Sequence, residues 1–156
     1  MATEETDTFY LDLLHSFYEE EDRERARGVA ERLETALAER PDFAGSIRAE
    51  EVRSLIAELR GDLAEAVRRR ESEIEKIRQL HSLVEDKPGR DYVFRQYDYS
   101  DLSDRLDILA TLYAEQGDLD RAVDLLHESR RFCESHEIAF DGQDLLDEYA
   151  KARRER

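Results

Sequence analysis

The chain carries one turn twice. GDLAEAV at 61–67 and GDLDRAV at 117–123 agree in Gly, Asp, Leu, Ala and Val at matching places. Such an echo marks a helical repeat, and it restricts the fold more than any other feature, because a recurring unit must bury its apolar face against its neighbours. The residues around the second copy show what the unit is. Leu102, Leu106, Leu109, Ala110 and Tyr113 share one face at helical spacing, and Ile108 and Leu112 lie on another. A helix apolar on two sides is expected to be sandwiched between others. Gly117 suits the left-handed conformation that ends a helix, and Asp118 can accept the free amide hydrogens that open the next. That next helix carries Leu119, Ala122, Val123, Leu126, Ser129 and Phe132 on one stripe. The small side chain of Ala122 lets the two helices approach closely.

This pattern, Leu106-x-x-Leu109-Ala110-x-x-Tyr113 followed by Gly117, Ala122, Leu126 and Ser129, resembles a tetratricopeptide repeat. Leu106 stands where that family usually has Trp, Ala110 where it has Gly, and Glu134 where it has a closing Pro. The resemblance implies an all-α fold: a right-handed stack of about three helix pairs with a C-terminal capping helix. It also implies that the first helix of each pair lines a concave surface, where family members bind peptides or protein segments. Carried onto this chain, the groove positions are Leu11 and His15, then Glu50 and Ser54, then Asp107 and Thr111. The Lys and Asn by which some family members clamp an acidic C-terminus do not occur there. A basic or neutral segment is the expected ligand.

Length and composition frame this reading. At 156 residues the chain is expected to be one domain, 1–156, able to bury roughly 70% of its unfolded surface. Charged residues make up 41% and the net charge is −16, a balance that permits disorder, but the regular apolar stripes argue for a folded core. The negative charge disfavours nucleic acid and anionic membranes as partners, since both are polyanions. Lys occurs only at 76, 87 and 151. Proteins of salt-loving microbes are similarly acid-rich and lysine-poor, although a GC-rich genome would equally favour Arg. A lone cysteine, Cys133, rules out an intrachain disulfide framework. The acidic Met-Ala-Thr-Glu-Glu opening is unlike a secretory signal, and no apolar run approaches the roughly 20 residues of a membrane span. A cytoplasmic protein is the simple expectation.

Taken in order, Thr6 or Asp7 can cap a first helix bearing Phe9, Tyr10, Leu13, Leu14 and Phe17. A second runs through Ala26, Ala30, Leu33 and Leu37 and stops at Pro41 and Gly45. Between them Glu21 stands where the later turn has Gly117. Ser46 can cap a third helix, striped by Ile47, Val52, Ile56 and Leu59. The Arg60-Gly61-Asp62 turn reads as one residue longer than the later copy. Asp62 with Glu65 is a capping signal for a helix that runs to about Glu85, longer than a repeat needs, so its end must cover something. Residues 86–100 break the period. Lys87-Pro88-Gly89 is turn chemistry, and Tyr92, Phe94, Tyr97 and Tyr99 alternate as in an extended arm. These rings either seal the cleft beside the long helix or reach a groove or a second subunit. Asp141 is expected to cap a final helix with Leu145, Leu146 and Tyr149.

No catalytic or metal spacing stands out. His127, Cys133 and His136 form the only ligand-type cluster, short of the four ligands of a structural zinc site. Glu71 and Glu75 read as a solvated face, and no phosphate loop or nucleophile elbow occurs. Arg68-Arg69-Arg70 is expected to pair locally with Glu65, Glu71 and Glu73. The expected function is a non-catalytic protein-interaction module with no cofactor. The alternatives are a structural homodimer built on the long helix and the aromatic arm, or an enzyme using His with a carboxylate.

Overall fold

A computed structural model describes residues 10–19, 22–39 and 46–156. The expected cap at Thr6 or Asp7, Phe9, Glu21, and the stop at Pro41 and Gly45 lie outside them. The described residues are all-helical and contain no strand. Residues 10–14 are α-helical and pass into a π-helical turn, His15–Glu19. Seven α-helices follow: α1 (Arg23–Glu39), α2 (Ile47–Leu59), α3 (Leu63–Val84), α4 (Arg90–Gln96), α5 (Tyr99–Glu115), α6 (Leu119–Ser135) and α7 (Gln143–Arg154). The chain divides into two compact units, 1–69 and 70–156, with the boundary inside α3.

In the first unit, Leu13 and Phe17 join Ala26, Val29, Leu33 and Leu37 of α1 and Val52, Leu55 and Ile56 of α2 in one apolar core. Ser46 caps α2 as its sequence suggests, accepting from the Ala49 amide at 3.1 Å. Asp62 caps α3 by accepting from the Glu65 amide at 3.2 Å, and Asp22 caps α1 through the Arg25 amide at 3.0 Å. Four residues after each of these two aspartates sits a fully buried alanine, Ala66 or Ala26. The buried Ser54 hydroxyl donates to the Ala66 carbonyl at 2.8 Å, showing how closely α2 and α3 approach.

In the second unit, α5 and α6 form the hairpin read from the sequence. Asp118 caps α6 through the Arg121 amide at 3.0 Å, again with a fully buried alanine, Ala122, four residues on. Leu106, Leu109, Leu112, Val123 and Leu126 fill the space between the helices. The long helix does cover something: Ile74 and Ile77 are buried. It is tied to α5 by Glu73–Arg105 at 2.9 Å and by the Tyr113 hydroxyl donating to Glu71. An Arg78–Glu128 pair at 2.7 Å ties it to α6.

The repeated turn is one structure built three times. After α2 the amides of Arg60, Gly61 and Asp62 donate to the carbonyls of Ile56, Glu58 and Ala57. After α5, Gln116, Gly117 and Asp118 donate to Leu112, Ala114 and Tyr113 in the same order. Gly61 and Gly117 have φ of 75° and 86°, the left-handed residue of this helix stop. The two turns therefore have equal length, and the extra residue expected at 60–62 is absent. After α6 the pattern recurs through His136, Glu137 and Ile138, with Glu137 at φ 57°, where a side chain is strained.

Three other expectations change. The arm at 86–100 is not extended, because α4 occupies 90–96. Stacking of Phe94 on His81 and of Arg90 over Phe94 holds this short helix, which would be marginal alone. Asp98 and Asp101 then form a reciprocal capping box that starts α5 at Tyr99. The cap of α7 is Gly142 rather than Asp141. A Cβ at Gly142 would meet the Phe140 ring at 2.9 Å, so packing selects glycine there.

Candidate functional site

The equal turns fix which residues of the two hairpins correspond. Gly61 pairs with Gly117, so Asp107 and Thr111 of α5 correspond to Glu51 and Leu55 of α2, one position beyond the expected Glu50 and Ser54. Burial does not separate the two registers, since Glu51 at 7% and Leu55 at 0% are buried as Glu50 and Ser54 are. Glu50 is only 4% exposed and faces Arg53 at 3.4 Å and Arg69 at 3.5 Å. Ser54 is wholly buried. Both serve the inside of the first unit and present no polar group to a ligand. In the same unit Leu11 is 64% exposed and His15 is exposed.

Asp107 and Thr111 stand differently. The Thr111 hydroxyl is turned back on the Ile108 carbonyl at 2.6 Å. Asp107 is half-buried, and its Oδ1 is buried without a hydrogen-bond partner. It belongs to a series of acids at every third position from the cap of α5 onward: Asp98, Asp101, Asp104 and Asp107. Asp141, from the loop before α7, adds its field to Asp104 and Asp107. Burial pushes the Asp107 carboxyl from its usual 3.8 up to about 6; the Ser129 hydroxyl works against that rise, and the charges of Asp104 and Asp141 add to it. Burial also raises Asp104, reinforced by Asp141 and Asp101. Asp101 is raised by burial and by Asp98, although the Asp98 backbone amide and Arg105 oppose this. Nearby Arg105 is held mainly by Glu73, at 2.9 Å against 3.9 Å to Asp101. The end of the series at Asp107 is thus negative charge that the fold leaves poorly neutralised. Of the expected binding residues only Asp107 belongs to such an arrangement. The sequence marks Asp141 only as a helix cap, and it does not single out Asp104, because i, i+3 acids are common in so acidic a chain.

The aromatic residues of the arm part company. Tyr92 is 65% exposed. Phe94 stacks on His81 with centroids 4.5 Å apart. The Tyr97 carbonyl accepts from His81 Nε2 at 2.6 Å, and the Tyr97 ring lies 5.7 Å from the Arg105 guanidinium carbon. Tyr99 packs edge-on to Phe94 and Phe132 and lies 3.9 Å from the His136 ring. Three of the four rings therefore seal the second unit. His81, which receives them, extends the buried Ile74–Ile77 stripe at helical spacing, a signal present in the sequence.

The other chemical candidates are absorbed by structure. Arg68 and Arg69 pair with Glu65, and Arg70 pairs with Glu73 at 2.7 Å with both side chains buried. Buried Cys133 lies 3.0 Å from the Ser103 hydroxyl, which also meets Ser129 at 3.0 Å. His127 Nδ1 accepts from Arg130 at 3.2 Å. Among the described residues no group of His, Cys, Asp and Glu is placed to hold a metal ion, and no helix is long and apolar enough to cross a membrane. Two open hollows of about 390 Å³ occur, one in each unit, and neither has a histidine or Asp107 in its wall. Comparison with protein-family models, with curated proteins and with solved structures finds no match to this chain.

Proposed function

We propose that this chain is a non-catalytic, tetratricopeptide-like interaction module that takes a basic protein segment on the acidic face of α5. The observation that carries the reading is the raised carboxyl of Asp107, held among Asp104 and Asp141 with one oxygen unsatisfied. Like charges kept together without a counter-ion cost free energy, and a Lys or Arg arriving from a partner relieves that cost. The recurring hairpin supports the reading as well, since rigid helix pairs with close-packed alanines are a stable platform for a charged surface. Raised carboxyls also occur in active sites, but here the neighbouring hydroxyls and the thiol are buried at the α5–α6 interface, away from any substrate.

The test is fluorescence anisotropy with a labelled Lys/Arg-rich peptide and a Glu-rich counterpart. The basic peptide is expected to bind with an affinity that falls as salt rises. The double variant Asp104→Asn, Asp141→Asn is expected to weaken it by about tenfold. Equal binding of both peptides, or full retention by the double variant, contradicts the proposal.

A further inference from the structure

The second unit also holds a spot of the opposite sign. The turn after α3 and the start of α4 border an open hollow of about 390 Å³ whose wall includes Lys87, Arg90, Asp91, Tyr92 and Arg95. Three cations and one carboxylate give this wall a charge of +3 − 1 = +2 in a chain whose net charge is −16. Acids outnumber bases 40 to 24, so counter-ions are abundant. Even so, among the described residues Lys87, Arg90 and Arg95 have no ion-pair partner.

Two of the three cations are held, and the backbone that carries the third is fixed. Arg90 lies over the Phe94 ring at 4.4 Å, and that ring is itself stacked on His81. Arg95 donates Nε to the Asp91 carbonyl at 3.3 Å, leaving its terminal nitrogens unused. The amides of Gly89 and Arg90 both return to the Lys87 carbonyl at 3.1 and 3.2 Å, which closes the turn carrying Lys87. Beside them Tyr92 is 65% exposed and offers a ring face. A phosphate monoester is a dianion with three terminal acceptor oxygens, so it matches a wall of three cations in charge as well as in acceptor number. The volume lies within the range of small-ligand sites, and an exposed tyrosine is a stacking platform for a flat ring. The chain's overall negative field is screened within about 8 Å at physiological salt, so the local cations dominate at contact.

We infer that this hollow binds a phosphorylated small molecule with a planar ring, a nucleoside monophosphate being the simplest instance. This site is independent of the acidic face of α5. The test is an NMR titration of the full chain with adenosine monophosphate, ribose 5-phosphate and inorganic phosphate, reading amide shifts. All three are expected to shift residues 87–95 saturably, the nucleotide binding about tenfold more tightly than ribose 5-phosphate. Lys87→Gln with Arg95→Gln is expected to weaken all three by about tenfold or more. Tyr92→Ala is expected to erase the preference for the nucleotide while sparing the phosphate. Unchanged shifts elsewhere in these variants establish that the fold is intact. Absence of saturable shifts at 87–95, or binding undiminished in the double variant, overturns the inference. So does binding of a Glu-rich peptide there in place of the phosphates, which would assign the spot to an acidic protein partner.

Discussion

The raised carboxyl of Asp107 has a measurable consequence for stability. Its folded pKa, about 6, lies above its usual 3.8, so the folded chain binds the proton more tightly than the unfolded chain does. Stability from this group is therefore full below about pH 4, falls as pH rises between about 4 and 6, and is lost above that window. A shift of about 2 units at 1.36 kcal/mol each corresponds to about 3 kcal/mol. The group is only half-buried, and solvent screening reduces this to about 1–2 kcal/mol. Asp107→Asn keeps the shape and removes the charge. It is expected to leave stability unchanged at pH 4 and to raise it by about 1–2 kcal/mol at pH 7.5. Urea unfolding followed by circular dichroism at four pH values between these limits measures the difference. A gain that does not depend on pH, or a loss at pH 7.5, refutes the reasoning, since either would mean that the ionised carboxylate is satisfied in the folded chain.

The remaining expectations concern the turns and the buried polar groups. Gly117→Ala meets no atom within 4 Å, so its cost is backbone strain alone, about 1 kcal/mol in unfolding free energy, and Gly61→Ala should match it. Glu137→Gly relieves the same strain in the third turn and, after the extra flexibility of glycine in the unfolded chain, is expected to stabilise by about 0.5 kcal/mol. Glu73→Ala strips the carboxylate from buried Arg70 and is expected to cost about 3–5 kcal/mol, read as a large fall in melting temperature. Cys133 should react with a thiol reagent only after unfolding, because its sulfur is fully buried.

The hairpins were legible because their signals are local. A glycine followed by aspartate, then alanine four positions later, specifies a left-handed stop, a cap and a close helix approach. All three are found at Gly61-Asp62-Ala66 and at Gly117-Asp118-Ala122. The third turn was not legible, because Glu137 is an unfavourable residue for a left-handed position. Tertiary packing explains α4. Its aromatic spacing fits an extended segment, and the stacking of Phe94 on a histidine nine residues before Arg90 decides for a helix. One residue too many counted in the first turn places Glu50 and Ser54 one position, about 100° around the helix, from Glu51 and Leu55, which correspond to Asp107 and Thr111 and are themselves buried. The Asp104–Asp107–Asp141 group was hidden because Asp141 comes from a loop whose path depends on Gly142 fitting against Phe140.

The measurement that bears most directly on the acidic face is a carbon-13 NMR titration of the Asp107 carboxyl, alone and with a saturating Lys/Arg-rich peptide. Alone, the carboxyl is expected to titrate near 6. With the peptide bound, a cation beside it should bring the value back toward the ordinary carboxylate range. A titration that the peptide leaves unmoved would show that no basic partner reaches this face.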